Sequence, residues 1–182
     1  MKRIVLIALG VLLVASGAFA QTPEQTIENA LMAAPANMKA DATVVKWKAD
    51  FTYETLKKGT NRLVCYEQSG EPGEQPFSAQ CTSIANLDRV AQNRKFEVEQ
   101  DRPTRQKAIA ASEADGTRVK PEFGSVWRSV SGPDKDHVRT HITIAVPGAT
   151  AASLGLPDNN KEGGAWIMNA GTSTAHIMVP GS

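Results

Sequence analysis

The sequence predicts an α+β domain in which a mostly antiparallel sheet is covered by two or three helices and carries one disulfide. Three observations lead to this fold class. Short apolar runs bounded by Gly, Pro, Asn and Asp recur along the chain, as is typical of strands joined by turns. Other segments have the spacing of amphipathic helices. The only cysteines are Cys65 and Cys81, and an even pair in an exported protein indicates a disulfide.

The first twenty residues have the three parts of a secretory signal peptide. Lys2 and Arg3 form a positive start, Ile4–Val14 is apolar, and Ala18-Phe19-Ala20 is a cleavage site of the small-x-small type. The apolar run is shorter than the about 20 residues that a membrane-spanning helix needs. We therefore expect a signal peptide over 1–20 and a single soluble domain over 21–182. We expect this domain to be periplasmic or secreted, without membrane insertion.

Composition argues against two classes of partner. The chain has 20 Lys and Arg residues, two of them in the signal peptide, against 19 Asp and Glu residues, so the exported chain carries about one net negative charge. Nucleic acids and anionic membranes bind basic surfaces, and no block of this sequence supplies one. Aromatic residues make up 5% of the chain, which is too few for broad stacking platforms. We expect no nucleic-acid partner.

The start of the exported chain predicts one helix followed by a meander of antiparallel strands. Thr22, Pro23 and Gln25 form a capping box with proline at the first helical position. Ile27 opens an apolar stripe at i, i+3, i+4 and i+7, which ends before Pro35. Strands rich in β-branched and aromatic residues are predicted over 42–47, 52–57 and 62–67.

The two cysteines are predicted to join neighbouring elements across a loop. Cys65 lies on the third predicted strand, and fifteen residues separate it from Cys81, in a segment with Pro72 and Pro76 and no clear periodicity. A disulfide that closes such a loop stabilises a fold by about 3 kcal/mol. A redox-active pair is disfavoured because there is no C-x-x-C motif, and a metal site is disfavoured because the bridge would consume both thiolates.

The middle of the chain predicts two further helices. Ser83 is a candidate cap for a helix with Leu87 and Val90 on its apolar face, and the end of this segment near Phe96 fits either helix or strand. After a break at 101–103, the alanine-rich stretch Thr104–Asp115 favours helix by propensity, with a poor strand as the alternative.

The C-terminal third predicts more strands. The segment 124–130 has the composition of a strand, and 137–146 has the cleanest alternation of apolar and polar residues in the chain. One helical turn is expected near 149–154. Two short apolar runs, Ala165–Met168 and Ala175–Val179, flank a Gly/Thr/Ser-rich turn and predict a hairpin. We expect this hairpin at the centre of a small sheet.

The candidate ligand-binding residues are His141, His176 and Met178. Alternation along each strand places these side chains on the face opposite the isoleucines, so both histidines share a face if their strands are neighbours. Together with His137 on the same side, they could hold copper or zinc. A His-x3-His pair on one strand is, however, about 13 Å apart, too far for one ion. The alternative is that these histidines are hydrogen-bonded at the sheet surface or line a groove.

Sequence signatures of several enzyme classes are missing from the printed sequence. It contains no G-x-S-x-G nucleophile motif and neither of the glycine-rich nucleotide-binding motifs. The acidic stretches 134–136 and 158–162 do not fit the EF-hand spacing and are interpreted as solvated turns. We therefore expect no cofactor, with copper or zinc as the alternative.

Several segments, taken in order, resemble a family of small exported bacterial proteins of unknown function. They are GTNRLVC at 59–65, Cys81, THITI at 140–144, GLP at 155–157 and GGAWIM…GTSTAHIMVP at 163–180. The resemblance covers most of the exported chain and is firmest at the C-terminal hairpin. It carries over Cys65, Cys81, His141 and His176, but not His137. It implies a coherent fold and no particular activity or cofactor.

Together these observations favour an exported, non-enzymatic binding or envelope-associated protein. We expect it to bind a small ligand or an envelope protein through the sheet face that bears His141, His176 and Met178. The alternative is a small periplasmic metal-binding protein or hydrolase-like enzyme that uses His141 and His176. The sequence identifies no catalytic residue.

Overall fold

The structure, a computed structural model, describes residues 21–180, so the predicted signal peptide over 1–20 lies outside the described residues. An eight-stranded sheet runs through this part of the chain. Within it, no helix combines the length and the hydropathy needed to cross a bilayer. The predicted α+β class, with a mostly antiparallel sheet and one disulfide, is confirmed.

The strands are β1 (Thr43–Trp47), β2 (Tyr53–Lys57), β3 (Leu63–Glu67), β4 (Phe77–Ser83), β5 (Val126–Gly132), β6 (Arg139–Ala145), β7 (Trp166–Met168) and β8 (His176–Met178). The α-helices are α1 (Pro23–Ala30), α2 (Leu87–Glu97), α3 (Arg102–Ala114) and α4 (Ala151–Leu154). Short 3-10 helices cover Leu31–Ala33, Lys39–Asp41 and Ile84–Asn86. The strand order is β2-β1-β3-β4-β5-β6-β8-β7. The described chain thus has three longer α-helices, within the two or three expected, and a single-turn helix, α4, where one helical turn was expected near 149–154.

Helix α1 begins with the predicted capping box. The backbone N–H of Gln25 donates to the hydroxyl of Thr22 at 3.3 Å, and the N–H of Thr22 donates to the amide oxygen of Gln25 at 3.0 Å. Its apolar stripe, extended by the 3-10 turn, packs on one face of the sheet. Buried members of this first apolar cluster include Ala30, Val44 and Val130. The helix therefore forms because its ends are satisfied and one face is covered.

The first three strands do not form the predicted meander. Strand β2 pairs antiparallel with β1, but β3 pairs parallel with β1 on its other side. The connection must cross the end of β1, and it does so in contact with the backbone from Asp41 to Thr43. A Cβ atom at Gly59 would overlap the carbonyl oxygen of Asp41, so this crossing requires glycine. The N–H groups of Thr60 and Asn61 both donate to that same carbonyl.

The segment before Cys81, predicted as a loop, contains strand β4. Its inward residues are small or polar, such as Ala79 and Ser78, so the segment lacks the β-branched signature of a strand. Cys65 and Cys81 lie directly opposite each other in the β3–β4 register. The disulfide is therefore formed as predicted, but it joins two paired central strands rather than a strand and the start of the next element.

Helix α2 covers the other face of the sheet. Leu87 and Val90 pack on Val64 and Tyr66 in a second apolar cluster, as the predicted stripe requires. The next helix, α3, begins where a break was expected. Asp101 accepts a hydrogen bond from the N–H of Thr104 at 2.9 Å and so acts as its N-cap. The helical alternative for Thr104–Asp115 is thus the correct one.

The C-terminal hairpin forms as predicted but lies at the edge of the sheet. Strand β8 pairs with β6, and β7 is the outermost strand. The predicted central position of the hairpin is wrong, because strand order depends on long-range pairing that no local pattern encodes. Ile167 and Ile177 face a third apolar cluster with Leu154 of α4. The opposite face of this hairpin turns His176 toward α2 and α3.

Candidate ligand-binding cleft

A pocket of about 120 Å³, here called the inner pocket, opens beside β8 on the face of the sheet covered by α2. Its floor consists of alternate side chains from three neighbouring strands: Trp127 of β5, Thr143 of β6 and His176 of β8. The strand register fixes this floor, because Trp127 pairs with Thr143, and His176 pairs with the next inward residue of β6, Ala145. Thr174, in the turn before β8, closes one side.

The wall opposite this floor comes from helix α2. Arg89 and Asn93 line the inner pocket, and Phe96 and Glu97 continue the same helical face into a second pocket. These residues recur at i, i+4, i+7 and i+8, which is one face of a helix. Sequence reasoning missed this face because it followed only the apolar stripe of Leu87 and Val90. The four-residue recurrence of Arg89, Asn93 and Glu97 was the available signal.

The second pocket, here called the outer pocket, has a volume of about 360 Å³ and lies under α3. Arg105 and Ile109 of α3 form one wall, and Arg118 forms another. Asn93 and Thr174 line both pockets, so the two are joined into one cleft at these residues. The cleft lies between helices α2 and α3 and the C-terminal end of the sheet.

His176 has a defined tautomer in the inner pocket. Its Nδ1 lies 2.7 Å from the carbonyl oxygen of Thr174, and a carbonyl only accepts hydrogen bonds. Nδ1 therefore carries the proton, and in the neutral imidazole Nε2 is the acceptor. The ring is thereby oriented and has one nitrogen left to interact with a ligand or a reacting group.

Two buried guanidinium groups flank the cleft. Arg89 is 3% exposed, and its Nη1 donates to the carbonyl of Val119 and, at 3.2 Å, to the hydroxyl of Ser173. Burial, together with the charge of Arg118, lowers the pKa of Arg89 to about 10, so the group remains charged at neutral pH. Sequence reasoning missed both arginines because arginine is seldom fully buried.

Arg118 is 6% exposed and is held by amide oxygens. Its two terminal nitrogens donate to Gln92 at 2.7 Å and to Asn93 at 2.6 Å, and its guanidinium lies 5.0 Å from the ring centre of Phe96. Its Nε is buried without a hydrogen-bond partner. Burial lowers the pKa of Arg118 from its usual value. Arg118 is therefore fixed in place by neutral groups.

Glu113 attaches α3 to the turn before β8. Its carboxylate accepts hydrogen bonds from the backbone N–H and hydroxyl of Ser173 and, at 3.3 Å, from the hydroxyl of Thr174. Burial alone would raise the pKa of Glu113, but these hydrogen bonds and the charge of Arg89 outweigh it, so the pKa lies below 4.5. Residues 171–173 were expected to be a turn; the structure shows that this turn is the attachment point of α3.

Two carboxyl groups, those of Glu97 and Glu74, also line the outer pocket. Burial, and then the negative charge of Glu74, raise the pKa of Glu97. Since Arg105 and Arg118 line the same pocket, the outer pocket carries charges of both signs.

The predicted site residues do not form one site. The register puts His141, His176 and Met178 on one face of the sheet, with Met178 opposite Thr143. His141, however, is exposed, lies outside both pockets, and is four residues along β6 from the partner of His176. That is about 13 Å, too far for a shared metal ion. His137 lies in the loop before β6, where its Nδ1 contacts the carboxylate of Asp134 at 2.7 Å.

Two further observations concern other sites. Among residues 21–180, no group of three or more His, Cys, Asp and Glu side chains is placed to hold a metal ion. A separate groove of about 360 Å³ lies on the α1 face of the sheet, where Leu63, Phe123 and Val126 line it. Phe123 is 67% exposed there. This groove is the alternative to the cleft as a binding site for an apolar ligand.

Comparison of the chain with protein-family models gives no match, and neither does comparison with curated proteins or with solved structures. The resemblance to a family of small exported bacterial proteins therefore stays a prediction. The function has to be argued from the cleft itself.

Proposed function

We propose that this chain is an exported binding protein that holds a small polar molecule in the cleft beside β8. The observation that carries the proposal is the composition of the inner pocket. An oriented histidine, an aromatic side chain and a buried cation line it together. Small-molecule sites are typically concave, partly apolar, and supplied with a few fixed polar groups. His176, Trp127 and Arg89 have these roles here.

The dimensions of the cleft fit a small molecule rather than a protein surface. The outer pocket, at about 360 Å³, lies within the usual range for ligand pockets, and the inner pocket adds a narrower end. The polar groups of the inner pocket come from elements that are fixed by hydrogen bonds. Arg89 bonds to Ser173 and the backbone of Val119, and His176 bonds to the backbone of Thr174. Such preorganisation lowers the entropic cost of binding.

Export is the second part of this proposal. The disulfide between Cys65 and Cys81 is buried, and disulfides persist in oxidising compartments. The predicted signal peptide supports the same location. The disulfide joins β3 and β4, two neighbouring strands in the middle of the sheet.

A pair of histidine variants tests the binding function. We expect a small-fragment screen, followed by ¹⁵N–¹H spectra of the chain from Gln21 onward, to give hits that shift the resonances of Thr174, His176 and the Trp127 indole. His176→Ala should weaken these hits, whereas His141→Ala, on the same sheet face but outside the cleft, should not. Hits that cluster in the Phe123 groove, or equal effects of both variants, would contradict the proposal.

A second candidate function is hydrolase-like catalysis with His176 as general base. The hydrogen bond from Nδ1 to the Thr174 carbonyl favours it, because a catalytic imidazole needs one nitrogen fixed and the other free to take a proton. Since His141 is about 13 Å away, this candidate uses His176 alone rather than both histidines. Turnover of a panel of activated esters that is abolished in His176→Ala and kept in His141→Ala would favour catalysis over binding.

A further inference from the structure

Arg89 and Arg118 place two positive charges inside the protein at the cleft. They are 3% and 6% exposed, and each lines one of the two joined pockets. Arg118 also approaches the junction of the pockets directly, because it donates to the side chain of Asn93, which lines both. The two cations of the cleft are thus buried, positioned groups rather than mobile surface side chains.

Among residues 21–180, the hydrogen bonds that these two cations donate go to neutral acceptors. Arg89 donates from Nη1 to a carbonyl and to the Ser173 hydroxyl, and Arg118 donates to two amide oxygens. The Nε of Arg118 is buried and has no hydrogen-bond partner in the same range. The salt bridges that the described residues form, such as Arg94 with Glu71, involve neither arginine. The charge of Glu113 acts on both arginines and that of Glu97 acts on Arg118, but the hydrogen bonds that Glu113 accepts come from Ser173 and Thr174.

This arrangement is costly for the protein alone. A buried cation that is not hydrogen-bonded to a carboxylate regains only part of the hydration energy that it loses, and two like charges in the same region repel each other. The charges of Glu113 and Glu97 offset part of this cost, whereas the mutual repulsion of Arg89 and Arg118 contributes to the lowered pKa of Arg89. A bound oxyanion would complete the charge balance, because guanidinium groups bind carboxylate and phosphate oxygens with strong, directed hydrogen bonds.

We propose that the ligand of the cleft is an oxyanion, a small molecule with a carboxylate or phosphate group, which binds at the junction of the two pockets beside Arg89, Arg118 and His176. This inference rests on the proposed binding function and names its ligand class. The donors of Arg89 that face no protein acceptor would bind the oxyanion. Nε2 of His176, as an acceptor, would bind a hydroxyl or amide donor on the rest of the same molecule.

Two probe anions and one control salt test the inference. The chain from Gln21 onward is titrated with sodium succinate and, separately, with sodium phosphate, against sodium chloride at matched ionic strength. The readout is the set of arginine Nε–Hε resonances. We expect saturable shifts of the Arg89 and Arg118 signals with at least one oxyanion and none with chloride, and the comparison of the two titrations separates a carboxylate ligand from a phosphate ligand.

Two arginine variants, one inside the cleft and one outside it, control for general salt effects. Arg89→Gln should weaken anion binding roughly 10- to 100-fold, as expected when a charged hydrogen bond is lost. Arg128→Gln should leave it unchanged, because Arg128 lies on the other sheet face and donates to the carbonyl of Ala33 at 2.7 Å. Since the resonances of the unaltered protein report binding directly, the test stands even if Arg89→Gln does not fold.

The outcomes separate this inference from the proposed function. Two results would overturn the oxyanion class. One is a set of resonance shifts spread over exposed lysines, and the other is arginine resonances that do not shift at millimolar succinate and phosphate. If neutral fragments then still bind at His176 and Thr174, the binding function stands with a different ligand class. If neither anions nor neutral fragments bind in the cleft, both the inference and the proposed function fall.

Discussion

Glu113 of α3 accepts two hydrogen bonds from Ser173, one from the backbone N–H at 3.2 Å and one from the hydroxyl. This contact is the main polar attachment between α3 and the turn that leads into β8. Helix α3 is otherwise largely exposed, with Ser112 as its only buried residue. Helix α3, which covers the outer pocket, is therefore tied to the turn before β8 near its C-terminal end through the carboxylate of Glu113.

Replacement of Glu113 should loosen this attachment. We expect Glu113→Gln to lower the free energy of unfolding by about 1–2 kcal/mol, because charge-assisted hydrogen bonds to Ser173 and Thr174 become neutral ones. Urea denaturation near pH 7 measures the change. Glu28→Gln, at an exposed position of α1, is the matched control. Equal stability of the two variants would show that the contact contributes nothing.

The same carboxylate predicts a pH dependence. Because the folded-state pKa of Glu113 lies below 4.5, its stabilising effect is fully present above that value. It is lost as the pH falls through the lowered folded-state pKa, where the carboxylate becomes protonated. The stability difference between the wild-type protein and Glu113→Gln should therefore shrink in acid. A difference that stays constant or grows below pH 4.5 would contradict this assignment.

The crossing of the β2–β3 connection over β1 should depend on Gly59. Gly59→Ala places a methyl group against the backbone of Asp41 and Ala42, so the loop or the strand must move. We expect a loss of more than about 3 kcal/mol of stability. Gly70→Ala, in a loop with open space around it, should cost only about 1 kcal/mol for its left-handed backbone. Thermal unfolding of both variants tests whether the close approach exists.

The disulfide should contribute through the unfolded state. The bridge spans 16 residues of sequence, which corresponds to about 3 kcal/mol in the chain-entropy description. The double variant Cys65→Ala, Cys81→Ala should lose roughly this amount in denaturant unfolding and keep its native circular dichroism spectrum. Thiol titration of the unfolded, non-reduced protein should find no free thiol. Two free thiols in the exported protein would show that the bridge does not form there.

The tautomer of His176 can be observed directly. In mildly alkaline solution, long-range ¹H–¹⁵N spectra of the imidazoles should show His176 with a protonated Nδ1 and a bare Nε2, as the Thr174 carbonyl requires. His141 is the internal reference, because it is exposed and outside the cleft. A protonated Nε2 at His176 would remove the acceptor on which both the binding and the catalytic candidates depend.

Local patterns predicted most of the elements and little of their arrangement. The capping box at Thr22 and the alternation along β6 both correspond to real elements, because each depends on residues close in sequence. Strand β4 was missed because Ala79 and Ser78, which are buried, are small and carry no β-branched signal. The parallel pairing of β3 with β1 and the edge position of β8 depend on contacts between distant segments, and no local period encodes them.

Of the residues that line the candidate site, only His176 was predicted from the sequence. His176 lies in the cleft, but His141 does not, since sharing a sheet face says nothing about the position along the strand. Arg89 was overlooked because a charged residue on a helix normally faces solvent. It is held by the carbonyl of Val119 and by the Ser173 turn, which come from sequence positions far beyond it. A buried charge of this kind can be found only once the tertiary contacts are known.

The most direct test of the cleft is a crystal structure of the chain from Gln21 onward soaked with small acidic and neutral fragments. We predict electron density for an acidic fragment in the inner pocket, with the oxygens of its acidic group in contact with Arg89. Fragments bound only in the groove of Leu63 and Phe123, with both pockets of the cleft unoccupied, would contradict the account.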